Sequence, residues 1–307
     1  MKRLNPVTVT MILTLLWLLS SCDKQQDICF DHDAAGRRAI DVVFDWTECP
    51  EARPATMSLY LFPADGSHYT RHEFTNRAGG KILIAPGVYT AIAMNSDNES
   101  VRVSNTGQAR EFSIVLRDNA TTQGASVLKK NERVCPAPDS LWVSCLREVN
   151  IGEPKLTVPM SDACFHYSIE IKHLENSKLV RSIDATLGGM NGMVRFHGSP
   201  DADAKLHFTM DVKEGRASGS FLTLGHCGVS RSGGEAEEPL HSLGFYFTLG
   251  DGSVRYCTSD VTDLIHGQTL EDCHIVIDSL SVPETSSGNM SFTVRDWNVV
   301  NIYIDAN

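Results

Sequence analysis

The feature that most constrains this chain is the alternation of apolar and polar residues in short runs. Ile40, Val42, Phe44 and Trp46 alternate with Asp41, Val43 and Asp45, and Leu206, Phe208, Met210 and Val212 alternate with His207, Thr209 and Asp211. Leu243, Phe245, Phe247 and Leu249 keep the same rhythm, as do Tyr167, Ile169 and Ile171. Successive side chains of a strand point to opposite faces, so alternation built from β-branched and aromatic residues predicts half-buried strands. Residues 57–62, 81–84, 88–94, 112–116, 254–256, 275–282 and 299–304 supply further strands. Turn residues separate them. Asp65-Gly66 follows Pro63, Ala85-Pro86-Gly87 suits a type II turn, and Asp251-Gly252 closes a hairpin. One window reads as helix: Asp260 can cap a turn carrying Val261, Leu264 and Ile265, which Gly267 stops. Many short strands with turns between them specify an all-β fold of the sandwich kind.

Residues 117–155 break the rhythm. Asn119, Gly124, Asn131, Pro136, Pro138, Gly152 and Pro154 punctuate them, and only Leu141-Trp142-Val143 looks strand-like. Such a composition shift predicts long loops or a passage between domains, with the boundary near Gly152. Residues 230–239, with Ser232, Gly233, Gly234, Glu235, Glu237 and Glu238, read as a loop between strands. No repeat of 20–50 residues is visible, so the halves are alike in architecture only. The partition is therefore 1–21 signal, 22–37 spacer, 38–152 first sandwich and 153–307 second sandwich.

The N-terminus supplies an address. Lys2 and Arg3 precede an apolar run that ends in Leu19-Ser20-Ser21-Cys22. A basic start, a short apolar stretch and small residues before a cysteine read as an export signal of the lipobox type. Cleavage between Ser21 and Cys22 would leave Cys22 acylated at the mature N-terminus. Residues 11–19 are too few for a membrane span, which takes about 20 apolar residues. Membrane contact would then be through lipid alone, held stably by a multiply acylated cysteine. The net charge of −11 becomes two units more negative once Lys2 and Arg3 are removed. With no basic stripe anywhere, this excludes nucleic acid as a partner. Eight cysteines remain: Cys29, Cys49, Cys135, Cys145, Cys164, Cys227, Cys257 and Cys273. Export permits disulfides, and one or two bridges among otherwise buried thiols are expected.

No constellation for catalysis stands out. Gly215-Arg216-Ala217-Ser218-Gly219 misplaces the serine of a G-x-S-x-G elbow and reads as a turn. His72-Glu73 begins like H-E-x-x-H, but position 76 is Asn76. His226-Cys227 and Cys273-His274 could meet in space as a Cys/His metal site, although no C-x-x-C or H-x-x-x-H spacing supports it. Acidic runs such as Asp31-His32-Asp33 and Asp201-Ala202-Asp203 read as solvated loops. No metal, cofactor, catalytic residue or small-molecule substrate is expected. Asn98-Glu99-Ser100 and Asn119-Ala120-Thr121 fit the N-glycosylation pattern, which a bacterial lipoprotein discounts.

Several of these residues carry a family resemblance. Cys29 and His32 follow the lipobox, then come Val42-Val43-Phe44-Asp45-Trp46, residues 57–63, Pro86-Gly87-Val88-Tyr89 and Asn95-Ser96-Asp97. Met190-Asn191-Gly192-Met193-Val194 and Val294-Arg295-Asp296-Trp297-Asn298 complete the set. Together they resemble an uncharacterised lipoprotein family of Bacteroides and its relatives, similar in layout to the fimbrillin and minor-fimbria anchor lipoproteins. The resemblance implies two tandem transthyretin-like, Greek-key β-sandwiches, lipid-anchored at the outer membrane and exposed at the cell surface. It implies a structural, non-catalytic role as a fimbrial (pilus) anchor or accessory subunit, with fimbrial subunits as partners by strand addition. Trimming at Arg37 or Arg38 would discard the lipid, which favours anchor or accessory over stalk. Asp139-Ser140-Leu141 and Asp278-Ser279-Leu280 are similar to the O-glycosylation sites of exported proteins in that phylum, so Ser140 and Ser279 are candidate sites. The competing reading is a surface lipoprotein that binds a glycan or host ligand. Trp46 and Trp297 are its candidate platforms, although their strand settings favour core packing.

Overall fold

The computed structural model describes residues 36–118, 134–198, 203–226, 241–268, 272–282 and 291–294. Ser21, Cys22, Cys29, His32, Asn119, Cys227, residues 230–239, Trp297 and the strand expected at 299–304 lie outside them.

The first sandwich is built from β1 (Arg38–Asp45), β2 (Met57–Pro63), β3 (Thr70–Phe74), β4 (Gly79–Ile84), β5 (Gly87–Asn95), β9 (Trp142–Ile151) and β10 (Lys155–Pro159). One sheet runs β10-β1-β4, with β1 parallel to β10 and antiparallel to β4. The other runs β9-β5-β2-β3 and is extended beyond β9 by β11 (Ser161–Asp162). Ile40, Val42 and Phe44 of β1 face Leu59, Leu61, Ala91 and Ala93 across the interior, all buried. The alternation in β1 thus sets which face meets the core.

The second sandwich repeats this topology strand for strand. Its members are β12 (Phe165–Glu175), β13 (Val180–Asn191), β15 (Asp203–Lys213), β16 (Arg216–Thr223), β17 (Ser242–Leu249), β18 (Val254–Asp260) and β19 (Asp272–Ser281). β12 is parallel to β19 and antiparallel to β16, as β1 is to β10 and β4. β13 lies between β15 and β17, and β17 pairs with β18, as β2 lies between β3 and β5, and β5 pairs with β9. The fold is therefore two tandem transthyretin-like sandwiches. A final strand, β20 (Ser291–Val294), adds to β19, and β15 joins both sheets by pairing first with β13 and then with β16. The helix expected after Asp260 is a short α1 (Thr262–His266).

Short insertions join the two units. β6 (Val101–Ser104) and β7 (Ser113–Leu116) form a hairpin, and β14 (Met193–Arg195) from the second half pairs with β7. β8 (Cys135–Pro136) pairs with β15. Tyr60, Phe62, Ile92 and Met94 leave the first core on the opposite face of their sheet and share one buried cluster with Ile183, Leu206 and Phe245. This is why residues 57–62 are apolar without alternation: β2 is buried on both faces.

Three expectations are corrected. Two strands beyond Gly152, β10 and β11, pair with the first sandwich, so the chain changes sandwich between Asp162 and Phe165. Residues 144–151, read as loop, continue the strand-like 142–143 into one long strand whose register shifts opposite Tyr89 and Ala91, with Glu148 at φ 55°. That irregularity hides its alternation. Residues 216–219, read as a turn, begin β16, and the turn itself is Glu214-Gly215 at φ 49° and 78°.

Candidate functional site

The residues most able to meet a partner are backbone groups on open sheet edges. In the β10-β1-β4 sheet, β4 pairs on one side only among the described residues. Phe44 N donates to Ala78 O at 3.3 Å, and the register continues through Val42↔Gly80 and Ile40↔Ile82. Hydrogen-bonded and non-bonded pairs alternate in an antiparallel ladder, so Asp41↔Lys81 and Ala39↔Leu83 are the non-bonded ones. The N–H and C=O of Lys81 and Leu83 therefore point away from β1, toward the open edge. Asp41 N agrees, donating at 2.8 Å to Pro154 O on the other side of β1. Leu83 is 64% exposed, a large apolar side chain beside an unpaired edge. Val88, just across the Pro86-Gly87 turn, is also exposed.

Two other edges of the first sandwich are guarded. β10 presents Lys155 and Pro159, and proline has no N–H to offer. β3 carries Arg71 and Glu73, which form an ion pair with each other and accept or donate at Ser58. Charge and proline on an edge discourage pairing; β4 carries a single charge, Lys81, whose Nζ is held by Asp41 at 2.8 Å, beside the exposed aliphatic Leu83. In the second sandwich β18 is open on its outer side among the described residues, with Val254 exposed at its start.

A second feature is a shallow cavity of about 430 Å³ on the outer face of the second sandwich, lined by Ser168, Glu170, Thr209, Asp211, Ser218 and His274. Ser168 Oγ lies 2.8 Å from His274 Nδ1, and His274 Nε2 is 3.9 Å from Glu170 Oε2. This Ser-His-Glu grouping lies on the face of a sheet and not on a strand-to-helix turn. β12 lies between β16 and β19, whose ladders engage the backbone around Ser168 and leave no pair of N–H donors for an oxyanion. No Phe, Tyr or Trp lines the cavity.

The remaining expected residues are placed as follows. Trp46 is buried, packs edge-on against Trp142 at 6.1 Å, and donates Nε1–H to Arg77 O, so it is core. His72 lies on β3, a strand, and not on a metal-binding helix. Cys273 and His274 alternate on β19, one buried and one exposed, so they cannot share a site. No bridge joins two described cysteines. Cys164, Cys257 and Cys273 are buried, and burial pushes their thiols up to about 12, about 12 and about 11. Each behaves as a small core hydrophobe. Ser140 is on an exposed loop, whereas Ser279 lies within β19 between His173 of β12 and Thr293 of β20. Asn98 of the Asn-Glu-Ser sequon is buried, its Nδ2 donating to Asp139 O and Ser140 O at 3.0 and 3.1 Å. Among the described residues no helix is long and apolar enough to cross a membrane.

Spacing in sequence gave no hint of one cluster. His226, His241 and His266 come together at one end of the second sandwich, with ring centroids 5.0–5.5 Å apart. Burial and the two neighbouring imidazoles push His226 down to about 4.

Taken together, the repeated seven-stranded sandwiches define a tandem β-sandwich protein. Residues 21–211 match the family described as a domain of unknown function, DUF5119, and the chain belongs to that family. A curated relative, the candidate fimbrium anchoring subunit Fim4B of Bacteroides ovatus, is 23% identical over 180 residues, 56% of this chain and 52% of that protein. The chain thus aligns with about half the length of this relative. The fold matches the crystal structure of a candidate adhesin from Bacteroides ovatus with a TM-score of 0.64 at 18% identity, covering 82% of this chain and 95% of that one. The fimbrial anchor protein Mfa2 from Porphyromonas gingivalis aligns over 88% of this chain and 97% of its own, at 17% identity and a TM-score of 0.47.

Proposed function

We propose that this protein is a non-catalytic fimbrial anchor or accessory subunit, held at the outer surface of the cell by lipid on Cys22, and that the next subunit pairs with β4. The observation that carries the reading is the β4 edge, where unpaired backbone groups of Lys81 and Leu83 stand beside an exposed aliphatic side chain. A donated strand gains main-chain hydrogen bonds there, and Leu83 supplies apolar contact. The relative named as a fimbrium anchoring subunit points the same way. Ser140, on an exposed loop, suits O-glycosylation better than Ser279, which is flanked by strands on both sides.

Proline at position 81 tests the edge. Lys81→Pro removes an outward N–H and leaves the β1–β4 ladder bonds in place, so the fold survives while strand addition weakens. Cells carrying Lys81→Pro should shed fibres into the medium, and a Lys81→Ala control should retain them. Equal retention in both strains refutes the β4 docking site. Unchanged fibre number, length and retention after deleting the whole gene refutes the fimbrial role itself.

The polar cavity around Ser168 and Asp211 supports a second reading, capture of a hydroxyl-rich ligand such as a glycan. Its lack of an aromatic platform makes it the weaker one. A glycan array without a single signal removes it.

A further inference from the structure

We infer that His226, His241 and His266 form a three-imidazole site for a divalent first-row transition metal such as zinc. Three separate elements bring them together. His226 follows β16 and bridges to Met190 of β13, His241 immediately precedes β17, and His266 is the last residue of α1. Their positions are fixed by the backbone. Asn191 donates its N–H to Gly225 O at 2.9 Å, His241 N donates to Thr262 Oγ1 at 3.0 Å, and Val261 N donates to His241 O at 2.9 Å.

The spacing is that of a ligand set. A tetrahedral zinc with Zn–N bonds of about 2.0–2.1 Å holds its imidazole nitrogens about 3.3 Å apart and the ring centres about 5.2 Å apart. Here the ring centroids are 5.3 Å (His226–His241), 5.5 Å (His226–His266) and 5.0 Å (His241–His266) apart. The Nε2 atoms of His241 and His266 are 3.1 Å from each other. The outer ring nitrogens also have the partners that orient metal-bound imidazoles. His241 Nδ1 donates to Gly188 O at 3.2 Å, and His226 Nδ1 lies 2.7 Å from the Tyr167 hydroxyl. A backbone carbonyl or hydroxyl on one nitrogen leaves the other as the ligand. Imidazole suits zinc, copper and nickel.

Among the described residues no three such side chains already stand in a metal-holding arrangement. His226 is half-buried, and the Nε2 atoms of His241 and His266, 3.1 Å apart, stand slightly closer than the roughly 3.3 Å they would keep on a tetrahedral zinc. His241 is fully buried and preorganised, whereas His266 is exposed and gives an ion its way in. Bound metal would tie α1 to the ends of β13 and β16.

The experiment uses the full-length chain purified without a histidine tag and stripped with chelator. Titration with Co²⁺ should give visible absorption bands of a tetrahedral site at one ion per chain, and Zn²⁺ should displace them. Zn²⁺ should also raise the melting temperature, because a ligand that binds only the folded state stabilises it. His266→Gln and His226→Gln lie on the accessible side and should each weaken Co²⁺ binding at least tenfold while melting like the parent in chelator. A distant variant, His68→Gln, should bind like the parent. Absence of one-to-one binding by the parent, or unaltered binding in both histidine variants, overturns the site and leaves a hydrogen-bonded imidazole cluster.

Discussion

Truncating Asn98 probes how the first sandwich holds the chain that leads into β9. Asn98 sits between β5 and β6 and uses its whole amide. Nδ2 donates to Asp139 O at 3.0 Å and to Ser140 O at 3.1 Å, while Oδ1 accepts from Ser100 N at 3.0 Å and Ser100 Oγ at 2.6 Å. Asn98→Ala would not orphan every partner. Ser140 O also accepts from Asn95 Nδ2, and Ser100 Oγ still accepts from Asp139 N. The Ser100 N–H is left without its buried acceptor, which costs about 1–3 kcal/mol, and each other lost bond costs about 0.5–1.5 kcal/mol. The expected loss is about 3 kcal/mol. For a protein of this size that lowers the melting temperature by about 6–12 °C. Urea unfolding followed by tryptophan fluorescence measures it, since Trp142 N donates to Asn95 Oδ1 in the same network. Asn98→Asp is the sharper variant: it keeps the acceptor for Ser100 but turns a carboxylate toward two carbonyls, so it should be at least as damaging. A loss below about 0.5 kcal/mol in both variants would refute the claim that this network is the clamp.

Other outcomes follow from the same structure. Gly79 has φ +102°, and a Cβ there would lie 2.1 Å from Val42 O, so Gly79→Ala should prevent soluble expression or cost several times the 1–3 kcal/mol of backbone strain alone. Asp184 Oδ1 and His207 Nε2 are 3.0 Å apart with side chains about 11% and 10% exposed, so Asp184→Ala should cost about 3 kcal/mol, and a Leu pair at both positions should recover most of it in thermal melts. Thiols raised to about 12 at Cys257 and Cys164 stay protonated at pH 8, so iodoacetamide should alkylate them only after unfolding, as read by mass spectrometry.

Much of the fold was legible in the sequence, and the strands that were missed share physical causes. β1, β12 and β15 each have one face on a core, so period two shows plainly. β13 was invisible because residues 183–190 are buried on both faces and include Asp184, Thr186, Gly188 and Gly189. A strand sealed on both sides has no polar face to mark its period. β9 was read as loop because Arg147 and Glu148 fall at a bulge, where two residues oppose one. The β4 edge was only half legible. Alternation predicted the strand, but which backbone groups stay unpaired depends on a register that sequence does not carry. The histidine cluster was not legible at all, because its members are brought together by three separate elements.

The parallel pairing of β1 with β10, and of β12 with β19, has a mechanical consequence. The chain enters the first sandwich through β1 and runs out along β10 at the opposite end, whereas in the second sandwich β20 turns back antiparallel along β19. Tension along the chain therefore acts along the β1–β10 ladder and shears its hydrogen bonds together, instead of peeling them one at a time. β12 and β19 match over residues 166–175 and 272–281, the longer of the two parallel registers, but β20 returns along β19, so a pull from the C-terminal side strips β20 before that ladder is sheared.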